Sequence, residues 1–121
     1  MTVILIVEDN DKNLKLIRDV LRFKGYVTLE ARSAAEGLRL ARELPALIIL
    51  DIQLPDFDGV TALGRLREDP FTRAIPVIAV SASAMPDDQQ RILSSGFNEY
   101  ITKPIELQPF IDTIERFVGK A

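Results

Sequence analysis

Short apolar runs and longer amphipathic stretches alternate along this chain from its first residues to its last. Runs rich in Val, Ile and Leu or in other strand-forming residues stand at 3–7, 26–31, 46–50, 77–80 and 99–102. Three of them, at 3–7, 46–50 and 77–80, are apolar nearly throughout, the pattern of strands covered on both faces. Between the runs the spacing turns helical. A first helix is predicted over 11–24, with Asn10 or Asp11 as cap and Gly25 as stop. Ser33-Ala34-Ala35-Glu36 has the form of a capping box and opens a second helix that ends before Pro45. A third follows Gly59 and ends near Glu68, ahead of Pro70. The fourth opens at Pro86, a favoured first-turn residue, where Asp87 and Asp88 suit the positive end of the helix dipole, and it stops at Gly96. Leu107, Phe110, Ile111, Ile114, Phe117 and Val118 mark one stripe of a fifth.

Five βα units in succession predict an α/β fold: a three-layer, doubly wound parallel sheet with right-handed crossovers and helices on both faces. No repeat, linker or low-complexity segment interrupts the 121 residues, so residues 1–121 are expected to form one domain with no output domain.

Composition narrows the chemistry. The 15 Lys and Arg against 18 Asp and Glu leave a net charge of −3 without a basic run, which argues against nucleic acid or an anionic membrane as partner. No apolar stretch approaches the roughly 20 residues of a membrane span and no signal peptide opens the chain, so a cytoplasmic protein without membrane insertion is expected. With no Cys and no His, thiolate and imidazole metal sites and Ser-His-Asp catalysis are excluded. Chemistry is left to carboxylates, hydroxyls, Lys, backbone amides and a borrowed ion.

In open α/β sheets the functional crevice lies at the carboxyl ends of the strands. The first run delivers Glu8 and Asp9 there, the third Asp51, the fourth Ser81 and the fifth Lys103. Three carboxylates at one sheet edge repel one another unless a cation joins them or one takes a proton. Their hard oxygens suit Mg²⁺, with Asp9 and Asp51 as direct ligands, Glu8 acting through water, and the backbone carbonyl of Gln53 as a further oxygen. Three acids, Mg²⁺ and Lys103 sum to about zero charge, so the site accepts a phosphoryl group without severe repulsion. Asp51 is the candidate nucleophile, since carboxylates form aspartyl phosphates. Lys103 and the Ser81 hydroxyl would neutralise or bond the phosphoryl oxygens. Each residue also has a plainer reading: solvated loop acids for Glu8 and Asp9, a turn cap for Asp51, a helix cap for Ser81.

At these positions the sequence resembles the receiver domains of bacterial two-component response regulators. The likeness rests on Ile6-Val7-Glu8-Asp9-Asn10, on Asp51-Ile52-Gln53-Leu54-Pro55 followed by Asp58-Gly59, on Ser81-Ala82 and on Lys103-Pro104, in that order along the whole chain. It implies a CheY-like fold with strand order 2-1-3-4-5, Asp51 as phosphoacceptor, Glu8 and Asp9 as the acidic Mg²⁺ pair, and Lys103 as the phosphate-contacting lysine. It further implies Ser81 and Tyr100 as switch residues, Gln53 and Ser83 as tuners of dephosphorylation, and a cis Lys103-Pro104 bond. The implied partners are a sensor histidine kinase or a histidine phosphotransferase, and a downstream protein reading the surface of the fourth helix, fifth strand and fifth helix. The chain would not be a turnover enzyme. The opening motif, Asp51-Ile52-Gln53-Leu54-Pro55 and Lys103-Pro104-Ile105 together look most like single-domain receivers that control cell division and polarity.

Two points stay open on sequence alone. Leu14, Ile17 and Leu21 form one face of the first helix, while Leu16 and Phe23 widen its apolar arc; extra core packing and a partner face that includes Asn13 and Leu16 both explain this. Signalling by phosphorylation-dependent binding and service as a phosphorelay shuttle require the same site. A haloacid-dehalogenase-like phosphatase fits poorly, because its nucleophile follows the first strand with a second Asp two residues on, where this chain has Gln53. A flavodoxin-like FMN carrier fits poorly too, because Glu8-Asp9-Asn10-Asp11 would repel phosphate.

Overall fold

The computed structural model describes residues 1–121 as ten elements in strict alternation. The strands are β1 (Val3–Val7), β2 (Val27–Ala31), β3 (Leu47–Asp51), β4 (Val77–Ser81) and β5 (Glu99–Thr102). The helices are α1 (Asp11–Phe23), α2 (Ala34–Ala41), α3 (Gly59–Glu68), α4 (Pro86–Ser94) and α5 (Leu107–Val118). All strand pairs are parallel, in the order β2-β1-β3-β4-β5, as the sequence led us to expect.

Side chains alternate across the sheet and build two cores. Ile4, Ile6, Ile49, Ile78 and Val80 point to one face and meet Leu14, Ile17 and Leu21 of α1 and Phe110 and Ile114 of α5. Leu5, Val7, Ile48, Leu50 and Ala79 point to the other and meet Ala34 and Ala41 of α2, Ala62, Leu63 and Leu66 of α3, and Ile92 of α4. Every residue of β3 and β4 is buried, which accounts for their unbroken apolar character.

Local chemistry sets the helix ends. The Asn10 side chain accepts from Asn13 N–H and Asp58 from Thr61 N–H, each capping its helix. Gly25 and Gly96 close the turns after α1 and α4 at φ of 96° and 118°, a region that only glycine enters freely.

Several expectations need correction. Two strands run one residue further than their apolar runs, taking in Asp51 and Ser81, because the ladder continues where the side chain turns polar: Asp51 pairs with Val80 and Ser81 with Thr102. At the other end, Tyr26 lies outside β2, buried, with its hydroxyl donating to the Gly119 carbonyl at 2.5 Å. The capping box of α2 is only half formed. Ser33 Oγ accepts from Glu36 N–H, but Glu36 reaches back to Arg32 N–H rather than to Ser33. The wide apolar arc of α1 is not extra core: Leu16 is 38% and Phe23 89% exposed. On α5 only Phe110 and Ile114 are fully buried, and Leu107 stands in solvent.

Candidate functional site

The carboxyl edge of the sheet carries an open cleft of about 790 Å³ in which Leu54 and Pro55 are the least polar residues of a wall otherwise made by Asp9, Asn10, Asp11, Lys12, Asn13, Asp51, Gln53 and Lys103. Glu8 and Asp9 arrive just past β1, Asp51 as the last residue of β3, and Lys103 just past β5. Because β1 and β3 are direct neighbours, oxygens of Glu8, Asp9 and Asp51 come within 4.8 Å of one another. Gly59 lets α3 start against the same spot. Its N–H donates to the Ile52 carbonyl, and a Cβ there would stand 2.9 Å from the Asp51 carbonyl oxygen.

Asp51 is 4% exposed and both its oxygens are engaged. Oδ1 accepts from Gln53 N–H at 2.9 Å and Oδ2 accepts from Lys103 Nζ at 2.9 Å. The turn-cap reading of Asp51 is therefore realised alongside the ion pair rather than in competition with it. Lys103 Nζ also lies 3.0 Å from Glu8 Oε1, so one ammonium pairs with both carboxylates and no other donor reaches that buried oxygen. Burial, and then the facing Asp51 carboxyl, push the Glu8 carboxyl up to about 7, although Lys103 pulls the other way. Burial alone would lower the Lys103 ammonium, but its contacts with Asp51 and Glu8 outweigh that and raise it.

A buried, under-bonded carboxylate oxygen beside two more acids is the donor set of a hard divalent cation: oxygen-only, anionic and open to water on the Asp9 side. The residues present fit Mg²⁺.

Not every sequence-predicted residue joins this cluster. Ser81 is 6% exposed and its Oγ accepts from Ser83 N–H at 3.2 Å, forming the start of the β4–α4 loop. The Ser83 hydroxyl is turned away into α4, donating to Asp88 Oδ2 at 2.8 Å. Tyr100 is half-buried on β5, and its hydroxyl donates to the Ser83 carbonyl at 2.7 Å. The Lys103-Pro104 peptide is cis. Asn13 lines the cleft, and Leu16 is partly exposed one turn further along α1. Gln53 lines the cleft and spends its N–H on Asp51.

Sequence reasoning took Asp11 as a helix cap and an acid of the first loop, but not as the cleft residue that pairs with Arg32, and it passed over Lys12, which lines the cleft. It also passed over Asp56, whose carboxylate accepts from Ala34 and Ala35 N–H. Nothing in the local string distinguishes Asp56 from a solvated turn acid; its partners lie about twenty positions away.

Comparison with known proteins decides the family. A family model described as the response regulator receiver domain matches residues 4–115. The chain belongs to the response regulator receiver family. One relative, the polar-differentiation response regulator DivK of Brucella ovis, is 48% identical over 119 residues, covering 98% of this chain and 97% of its own. Among solved structures, the receiver domain of sensor histidine kinase PA1611 from Pseudomonas aeruginosa superposes with a TM-score of 0.89 at 31% identity, covering 98% of both chains. That structure has a magnesium ion coordinated in its active site cleft. The Mn²⁺-bound form of response regulator Rcp1 superposes at 0.81 and 27% identity, covering 98% of this chain and 94% of its own. Both of these solved relatives thus carry a divalent cation, and in this receiver Glu8, Asp9 and Asp51 are the acids grouped closely enough to hold one.

Proposed function

We propose that this receiver is a stand-alone response regulator that takes a phosphoryl group on Asp51 and signals through phosphorylation-dependent protein binding. The observation that carries the reading is the contact of Lys103 Nζ with Asp51 Oδ2 at 2.9 Å and with Glu8 Oε1 at 3.0 Å, in a group of acids completed by Asp9. A carboxylate flanked by an ammonium and a divalent-cation site is placed to receive a phosphoryl group, because that transfer needs positioning and charge neutralisation above all. Asp9 and Asp51 would hold Mg²⁺, with Glu8 acting through water and the Gln53 carbonyl as a further oxygen. The ion supplies positive charge for the phosphoryl oxygens.

The donor would be the phosphohistidine of a sensor kinase or of a histidine phosphotransferase. A carboxylate oxygen of Asp51 forms the new O–P bond as the P–N bond breaks, and the departing imidazole nitrogen takes a proton from water. Lys103 holds Asp51 in place and remains to neutralise the product. The Ser81 hydroxyl would then turn from Ser83 N–H toward the new oxygens. Tyr100, tied to the Ser83 carbonyl on the same loop, would follow, which remodels the α4–β5–α5 surface for a downstream protein. Gln53, at the cleft wall, and Ser83, on the β4–α4 loop, would set how long the phosphoryl group lasts. The 48% identity with the Brucella polar-differentiation regulator, over nearly all of both chains, supports a role in polar differentiation or division. The cytoplasm, where kinases of this type present their phosphohistidine, is the corresponding location.

Incubation with acetyl phosphate and Mg²⁺ followed by intact-mass measurement tests the proposal. One phosphoryl group should be added to the wild type, none to Asp51→Asn, and less to the wild type in chelator. An unchanged wild-type mass would overturn it.

A further inference from the structure

Asp56 belongs to the loop between β3 and α3, yet its carboxylate is bonded to a different element. Oδ1 accepts from Ala34 N–H and Oδ2 from Ala35 N–H, both at 2.9 Å. These are the first two amides of α2, donors that have no partner within their own helix. The N-cap residue Ser33 serves only the Glu36 N–H. A carboxylate here also meets the positive end of the helix dipole. The amides, that of Ala35 foremost, hold the Asp56 carboxyl below its ordinary range.

The same loop forms one wall of the cleft through Gln53, Leu54 and Pro55. Its beginning is fixed by Gln53 N–H on Asp51 Oδ1 and by Gly59 N–H on the Ile52 carbonyl, and its end by the Asp58 cap of α3. Leu54 and Phe57 rest against the core, but the hydrogen bonds that tie residues 54–57 to the rest of the protein are those of Asp56. Apolar contact is tolerant of sliding, whereas a two-pronged bond to a helix end is directional.

We propose that Asp56 is a positioning residue for phosphoryl transfer at Asp51, holding the Gln53-Leu54-Pro55 wall in place by capping α2 from outside the helix. Its grip keeps the Gln53 amide on Asp51 Oδ1. That bond fixes the rotation of the carboxylate between Lys103 and the neighbouring acids. The kinetic part of this inference rests on Asp51 being the phosphoacceptor; the geometric part does not.

Two substitutions at the same helix end separate positioning from stability. Ser33→Ala and Asp56→Ala each remove a cap from α2, but only the second frees the loop. In Asp56→Ala the Gln53 amide should shift in the NMR spectrum of the metal-free protein. The Mg²⁺ concentration for half-saturation, followed at that amide, should rise about tenfold, the lower end for residues that orient a metal ligand. Phosphoryl uptake from acetyl phosphate at limiting Mg²⁺ should slow by a similar factor. Ser33→Ala should leave all three close to wild type, and Asp56→Asn, which keeps one acceptor oxygen, should restore part of the loss. An unmoved Gln53 amide with unchanged Mg²⁺ half-saturation in Asp56→Ala, or equal changes in Ser33→Ala, would overturn the inference. A wild type that takes no phosphoryl group would instead overturn the function proposed above, since the Gln53 and Mg²⁺ readouts need no transfer.

Discussion

Glu8 is a carboxyl only 1% exposed, whose Oε1 has the Lys103 ammonium 3.0 Å away and no further hydrogen-bond donor. In an unfolded chain it titrates near 4.5, whereas burial raises it to about 7 in the fold. A folded-state value above the unfolded one means that the native protein binds the proton more tightly. The resulting stabilisation is complete below the unfolded value and is lost as pH rises through the folded one. Urea denaturation in chelator should therefore show stability falling between pH 5 and 8, by at most about 3 kcal/mol. Glu8→Gln should flatten that slope, and a wild-type profile without it would show that Glu8 is ionised at neutral pH without cost. From the sequence, Glu8, Asp9, Asp51 and Lys103 were legible as one edge, because each polar residue follows a run that ends at the same side of the sheet. The inequality between them was not. Glu8 and Asp9 are adjacent in the chain, and only the packed structure buries one and leaves the other in water.

The helices show where periodicity informs and where it stops. Element order, the cap at Asn10 and the glycine stops follow from local chemistry, and these the string reveals. Partners distant along the chain it does not reveal, which is why the half-formed box at Ser33 and the outside cap by Asp56 went unread. The two glycines of α3 illustrate the same division. Gly64 faces open space, and a Cβ there meets nothing within 4 Å, whereas at Gly59 it would stand 2.8 Å from Ile52 Cα. Gly64→Ala should raise stability by about 0.5–1 kcal/mol through helix propensity alone. Gly59→Ala should lower it by about 1–3 kcal/mol, as overpacking does, and should slow phosphoryl uptake because the displaced backbone is that of Asp51. Denaturant midpoints of the two variants moving in the same direction would contradict this account.

Across the whole molecule, stability and chemistry occupy opposite ends of one sheet. At the amino edge the Arg67 guanidinium donates to the carbonyls of Arg73, Ile75 and Gly96 and to Asn98 Oδ1, joining α3 to the segments that lead into β4 and β5. Arg67→Met should cost about 2–3 kcal/mol, since hydrogen bonds from a charged group are lost and carbonyls are left under-bonded. Phosphoryl uptake well below the melting temperature should be unaffected, and a matching loss of uptake would mean that the two ends are coupled. At the carboxyl edge the acids stand at the ends of β1 and β3, inside the sheet, while Lys103 stands at the end of β5, an edge strand none of whose four residues is fully buried. Fraying at that rim would carry the ammonium away while the acids kept their places, so the electrical balance of the pocket endures only as long as the sheet's last ribbon stays zipped.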